Sequence, residues 1–359
     1  MKIVFTGGGS GGHVYPTIAL IKHLRETDPN VDVLYIGKKG AFEERICQTE
    51  KVPFMAIDVT YLYRKKLHKN VGTLRRFFKA KKEVKQKLLE FQPDVVIGTG
   101  GYVSGPVLSA AKSLGIRILI HEQNSVPGLT NRWLSRYADH VAVSFPESQP
   151  YFKKTKTVVT GNPRGFQVAN GPKADKRLLG LDPNKKLLLI FFGSQGGKYV
   201  NQKIADLLPL IDEISNCETI FVTGPNHYDD IIKQYKPLKL KQTRIVSYLD
   251  QMPSYLTVAD LVICRAGATT IAELTALGIP AIYIPSPHVT GDHQTKNAQI
   301  ITDHEAGVLV KEKTFNREAF YRLILDLIQD DTRRKKMGEQ AKKLANIDGF
   351  EQFIQLIYH

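Results

Sequence analysis

The chain has 359 residues, 42% hydrophobic and 24% charged, ordinary values for a soluble globular protein and long enough for two domains, each with a core. Its net charge of +15 is uneven, because residues 1–163 hold 25 of the 50 basic side chains but only 13 of the 35 acidic ones. Composition excludes a disulfide scaffold and a zinc module, since Cys47, Cys217 and Cys264 form no CxxC pair, and no apolar run is long enough to span a bilayer.

In chain order, strands are expected at Ile3–Thr6, Val31–Ile36, Phe54–Val59, Val95–Ile97, Arg117–Ile120 and Val141–Val143, with helical patterns at Pro16–Arg25, Leu74–Phe91 and Pro106–Leu114. The first strand runs straight into glycines, which is unlike a secretion signal, and the scattered cysteines suit a reducing cytoplasm. The rhythm returns at Leu187–Phe192, Thr219–Val222, Arg244–Val246, Leu261–Cys264, Ala281–Ile284 and Val308–Val310. Strands alternating with helices predict an α/β protein of two doubly wound parallel sheets. The boundary is placed near Gly161-Asn162-Pro163, where a strand ends in turn residues. This divides the chain into domains 1–162 and 163–345 and a last helical segment 346–359, whose apolar stripe is Phe350, Phe353, Ile354 and Ile357.

Ligands of open α/β sheets bind beyond the carboxyl ends of the strands, so the residues after each strand carry the chemistry. Gly7-Gly8-Gly9-Ser10-Gly11-Gly12-His13 links the first strand to a helix with Pro16 in its first turn. Such a turn brings N–H groups close to an anion at a helix N-terminus. A dinucleotide reading fails, because the second strand ends Ile36-Gly37-Lys38-Lys39 with no acid for a ribose, and a kinase-type phosphate loop lacks its Gly-Lys-Ser/Thr. A second glycine turn, Gly98–Pro106, and His121-Glu122-Gln123-Asn124 follow later strands, so His13, His121, Glu122 and Asn124 are expected at one sheet edge.

The second half offers Gly193-Ser194-Gln195-Gly196-Gly197 as a phosphate cradle. Cys264-Arg265-Ala266-Gly267-Ala268-Thr269-Thr270 leads into a helix, and Glu273 either caps that helix, at capping-box spacing from Thr270, or holds a ribose. The polar loop Pro285–Asn297 ends in His293, Gln294 and Asn297, donors and acceptors suited to a hydroxyl-rich ligand.

Taken together and in this order, Gly-Gly-x-Gly-Gly-His, Gly-Gly-Tyr-Val-Ser-Gly-Pro, His-Glu-Gln-Asn, Gly-Asn-Pro, Gly-Ser-Gln-Gly, Arg-x-Gly-Ala-x-Thr and His-Gln-x-x-Asn-Ala resemble the MurG family over nearly the whole chain. Members move N-acetylglucosamine (GlcNAc) from UDP-GlcNAc onto a lipid-linked muramyl-pentapeptide, turning lipid I into lipid II. The resemblance implies a GT-B fold, two Rossmann-like domains with a cleft between them, the acceptor on the first and the nucleotide sugar largely on the second. It implies that Ser10, Gly11, Gly12 and Asn124 face the sugar and acceptor, and that Gly9, Gly12, Gly100, Gly101 and Tyr102 surround the acceptor diphosphate. Ser194, Ala268, Thr269 and Thr270 would surround the donor diphosphate, Leu249 would meet the uracil, Glu273 the ribose, and His293, Gln294 and Asn297 the GlcNAc. Arg164 is also expected on the donor; many relatives carry an arginine two residues after the proline of Gly-Asn-Pro, whereas here Arg164 follows Pro163 directly.

The family reaction inverts the sugar carbon, so the acceptor hydroxyl needs a base; His13 is expected to serve, with Glu122 or His121 as alternatives. No Asp-x-Asp occurs, so neither a tightly bound metal nor a cofactor is expected. Residues 64–87 hold eleven Lys or Arg against one Glu, interleaved with Leu67, Leu74, Phe77 and Phe78. Alone, that pattern reads as a solvated helix packed on the core; with a lipid-linked acceptor it becomes a peripheral contact for an anionic membrane, through Leu67, Leu74, Arg75, Phe77 and Phe78, on the cytoplasmic face. A transferase acting on another lipid, such as diacylglycerol, is the alternative. A nucleic-acid partner is not expected, since no such motif occurs.

Overall fold

The computed structural model describes residues 1–61, 70–193 and 196–359, which form two compact units, one of residues 1–167 with 346–359 and one of residues 168–345. In the first unit the strands are β1 (Lys2–Gly7), β2 (Asp32–Lys38), β3 (Phe54–Ile57), β4 (Val95–Gly100), β5 (Arg117–Glu122), β6 (His140–Val143) and β7 (Lys156–Val159). They lie in the order β3-β2-β1-β4-β5-β6-β7, every pair parallel. Their side chains alternate between two covered faces. Val4, Ile36, Val96, Ile118 and Val141 pack under the helices Asn70–Phe91, Ser104–Ser113 and Leu129–Leu134. Ile3, Phe5, Tyr35, Val95 and Leu119 pack on the other face, against the helices Gly11–Thr27 and Gly349–Tyr358.

Two features differ from the expectation. The first helix begins at Gly11, so Pro16 lies inside it rather than in its first turn. The fold tolerates this because Ser10 O receives the N–H groups of His13 and Val14, closing the first turn ahead of the proline. A short helix, Phe42–Thr49, also follows β2, and its buried Glu43 has a part below.

The last helix closes the core of the first unit. Phe350 stacks on Phe166 at 4.1 Å, Phe353 lies parallel to the His121 ring at 5.2 Å, and Phe350, Phe353 and Ile357 are buried. Each of those side chains contributes about 1.5–3 kcal/mol by leaving water.

The second unit has β8 (Lys186–Phe191), β9 (Cys217–Val222), β10 (Thr243–Val246), β11 (Leu261–Cys264), β12 (Ala281–Tyr283) and β13 (Gly307–Leu309). The order is β10-β9-β8-β11-β12-β13, again parallel throughout. In both sheets the chain leaves the first strand in one direction and returns to start the other half on its opposite side. The switch points, β1/β4 and β8/β11, are where crevices open in such folds. All three cysteines are buried and free; burial pushes the Cys217 thiol up to about 11 and the Cys47 thiol up to about 12, so they act as packing groups. Among the described residues no helix is long and apolar enough to cross a membrane.

Candidate active site

The two glycine turns of the first half meet at the β1/β4 switch point. Gly8 donates its N–H to Gly100 O at 3.2 Å. Gly101 has φ +81°, and a Cβ there would lie 2.3 Å from Gly8 O, so no other residue allows this approach. Gly9 and Ser10 are exposed at the tip, and the helix N-terminus at Gly11 has no side-chain cap. Its first turn holds His13, whose carbonyl accepts hydroxyl hydrogen bonds from Thr99 (2.9 Å) and Thr17 (3.0 Å). The base candidate is therefore pinned to the end of β4.

His13 Nδ1 lies 3.0 Å from Gln123 Oε1. On its other side Gln123 Nε2 is 3.0 Å from Thr99 O, 3.0 Å from His121 O and 3.1 Å from His121 Nδ1. His121 is fully buried, with Nε2 3.0 Å from Gly161 O, and burial lowers its pKa to about 4. Glu122, also buried, accepts from the Asn124 backbone (2.9 Å) and side chain (3.2 Å) through Oε1, and from Gly128 N (3.2 Å) and Asn131 Nδ2 (2.9 Å) through Oε2. Both alternatives for the base are thus committed to the protein's own hydrogen bonds. Only His13, half-buried, keeps a ring nitrogen, Nε2, with no hydrogen bond among the described residues.

An acid does stand beside the end of β2, but it comes from the next helix. Glu43 is completely buried and accepts from Lys38 N at 3.2 Å and from Gly9 N at 3.4 Å. It braces the glycine turn instead of facing a ribose. Sequence inspection misses it because it lies past the strand, in a segment without a chemical signature. Tyr102 is half-buried, beside Gly9 and 5.9 Å beneath Lys38 Nζ. Arg164 falls in the first unit, with its guanidinium 5.7 Å over the Tyr15 ring and 2.6 Å from Gln167 Oε1.

At the β8/β11 switch point the chemistry is different. Gly196, with φ +71°, donates to Gly193 O at 3.0 Å, and a Cβ on it would lie 2.0 Å from Thr223 O. The helix Ala268–Leu277 has Gly267 as its N-cap and no side-chain cap. Thr270 therefore sits inside the first turn, so the capping-box alternative for Glu273 falls, and Ala268, Thr269 and Thr270 form the first turn of the helix. Glu273 is buried in the same helix. Asn297, fully buried, donates to Ala266 O at 3.3 Å, steadying the residue before that N-cap. Gln294 Oε1 accepts from Ser286 N at 2.8 Å, and His293 begins the helix His293–Asp303. Leu249 is half-buried after β10.

Arg265 is the residue that sequence inspection left without a role. It pairs with buried Glu312 at 2.6 Å, donates to Ile284 O at 2.9 Å and Pro285 O at 3.1 Å, and lies 5.6 Å over the Phe192 ring. One guanidinium thus ties together the chain beyond β8, β11, β12 and β13, as a planar fork of donors can. Ser194 lies outside the described residues, as does Leu67. Of the remaining membrane candidates, Leu74, Arg75 and Phe78 are exposed, while Phe77 is half-buried against Gly105.

Comparison with known proteins agrees with both halves. Residues 3–143 match the glycosyltransferase family 28 N-terminal domain and residues 187–354 match the C-terminal domain of that family. The chain is 43% identical, over 99% of both chains, to the UDP-N-acetylglucosamine–N-acetylmuramyl-(pentapeptide) pyrophosphoryl-undecaprenol N-acetylglucosamine transferase of Halalkalibacterium halodurans. It is 41% identical to the Bacillus subtilis enzyme of the same name, over 96% of this chain and 95% of that one. The crystal structure of Acinetobacter baumannii MurG superposes with a TM-score of 0.77 at 27% identity, covering 99% of each chain. Two parallel Rossmann-like units, both matched domains and full-length kinship together place the chain in glycosyltransferase family 28, as a member of the MurG family with the GT-B fold.

Proposed function

We propose that the chain transfers GlcNAc from UDP-GlcNAc to the muramyl 4-hydroxyl of lipid I, giving lipid II for peptidoglycan. The full-length kinship carries this reading and favours it over transfer to diacylglycerol. In the reaction, His13 Nε2 takes the proton of the acceptor hydroxyl while its oxygen attacks the anomeric carbon and the bond to UDP breaks with inversion. The electron pair leaves on the diphosphate, and the N-terminus of the helix Ala268–Leu277 stabilises that charge. Ala268, Thr269 and Thr270 lie against the donor diphosphate, Leu249 against the uracil, Glu273 on the ribose and His293, Gln294 and Asn297 around the GlcNAc. Ser10, Gly11, Gly12 and Asn124 hold the sugar and acceptor, and Gly9, Gly100, Gly101 and Tyr102 the lipid diphosphate. Exposed Leu74, Arg75 and Phe78 rest on an anionic membrane, which supports a peripheral site at its cytoplasmic face.

The test is a transfer assay that pairs UDP-GlcNAc with a lipid I analogue and, separately, UDP-glucose with diacylglycerol. GlcNAc on the lipid I analogue is the expected result. Turnover of diacylglycerol alone overturns the reading.

A further inference from the structure

The hydrogen positions in the His13–Gln123–His121 chain follow from the carbonyl groups around it. Gln123 is 1% exposed, and one end of its amide lies 3.0 Å from both Thr99 O and His121 O. Carbonyl oxygens only accept, so that end is the NH2 group and the opposite end, 3.0 Å from His13 Nδ1, is the oxygen. An amide oxygen also only accepts, which requires the hydrogen of His13 to be on Nδ1. His121 is consistent with this. Its Nε2 faces Gly161 O and carries the hydrogen, leaving Nδ1 to accept from Gln123 at 3.1 Å.

We propose that Gln123 is a positioning residue that holds neutral His13 in its Nδ1–H tautomer, so that the Nε2 lone pair is the one offered to the acceptor hydroxyl. This rests on the reading of His13 as the base. During transfer the hydroxyl O–H bond breaks and its proton goes to Nε2, giving an imidazolium whose Nδ1–H still binds Gln123 Oε1. The oxygen's electron pair forms the new glycosidic bond, and the proton later passes to solvent. A neutral amide selects the tautomer without adding the negative charge that would favour the imidazolium, as a carboxylate in the same place does. The amide is held in turn by the carbonyls of Thr99, at the end of β4, and His121, in β5.

Nitrogen-15 NMR of histidine-labelled protein, with the His13 signals assigned by their loss in His13→Asn, reads the tautomer directly. The expected result at neutral pH is a protonated-nitrogen signal at Nδ1 and a lone-pair signal at Nε2; the reverse assignment overturns the proposal. In Gln123→Leu the lone-pair signal should spread over both nitrogens, and kcat should fall about tenfold or more with the KM for UDP-GlcNAc unchanged. In Gln123→Glu the acid limb of the kcat–pH profile should move to higher pH. Wild-type kcat and pH profile in both variants would reject the positioning role. If Gln123→Leu does not fold, the wild-type spectrum and the glutamate variant still decide. Retention of turnover by His13→Asn removes the base reading, whereas the NMR assignment tests the tautomer independently.

Discussion

The two switch points share a topology and divide the chemistry. Each lies between the first and fourth strands of a 3-2-1-4 sheet, and each has a glycine with positive φ packed against a neighbouring carbonyl, Gly101 on Gly8 and Gly196 on Thr223. At β1/β4 the surroundings are titratable: His13, His121, Glu122 and Glu43, linked by Gln123 and backbone N–H groups. At β8/β11 the helix after Gly267 starts without a side-chain cap, and the nearby cation, Arg265, is paired with Glu312. On the reading proposed above, one fold supplies proton handling in one unit and anion stabilisation in the other. The difference lies in which side chains follow the strands, not in the sheets.

The comparison breaks most sharply at His13. If the first switch point handles the proton, His13→Ala lowers kcat by about 10²–10⁴-fold and leaves UDP affinity alone, as steady-state kinetics and calorimetry with UDP will read. Near-wild-type turnover would remove proton handling from this region.

The buried partner His121 gives the next effect, on stability. Its folded pKa of about 4 lies below the ordinary value of 6.5, so between those values the unfolded chain binds the proton that the folded chain refuses. Stability is therefore complete above pH 6.5 and declines as pH falls towards 4, by about 3 kcal/mol from this group. Urea unfolding across that range should show the decline in wild type and a flatter slope in His121→Gln. Equal slopes would assign the acid sensitivity to other groups.

On the other side of the comparison, Glu273→Ala should weaken UDP-GlcNAc binding by about 1.5–3 kcal/mol while kcat at saturation changes less. A loss confined to kcat would instead draw Glu273 into the chemical step. The smallest effect concerns the acceptor's surroundings. Leu74→Asp with Phe78→Asp should reduce sedimentation with anionic vesicles several-fold, and more so at low salt, with turnover of a water-soluble acceptor unchanged. Unaltered sedimentation would return these side chains to the bland reading of a solvated helix.

Much of this was legible in the residues. The expected strands match observed ones, because apolar runs bounded by glycine and proline report locally on buried parallel strands. The glycine turns were visible for the same reason. The start of the first helix was not, because Pro16 marks a first turn in most helices whereas Ser10 O closes an earlier one here. The capping-box alternative for Glu273 also depended on spacing alone, and it fell once Gly267 proved to be the N-cap.

The sequence by itself determined the two α/β series, the glycine turns after their strands and the candidate base in the first of them. These depend on short-range periodicity and turn chemistry. Tertiary structure alone decided that the two glycine turns of the first unit meet at β1/β4, that Glu43 braces them and that Arg265 gathers four strand ends. It alone decided which nitrogen of His13 carries the hydrogen. That proton is set by Gln123, 110 residues away in the chain, and by carbonyls on neighbouring strands, and no pattern within one segment encodes such a contact.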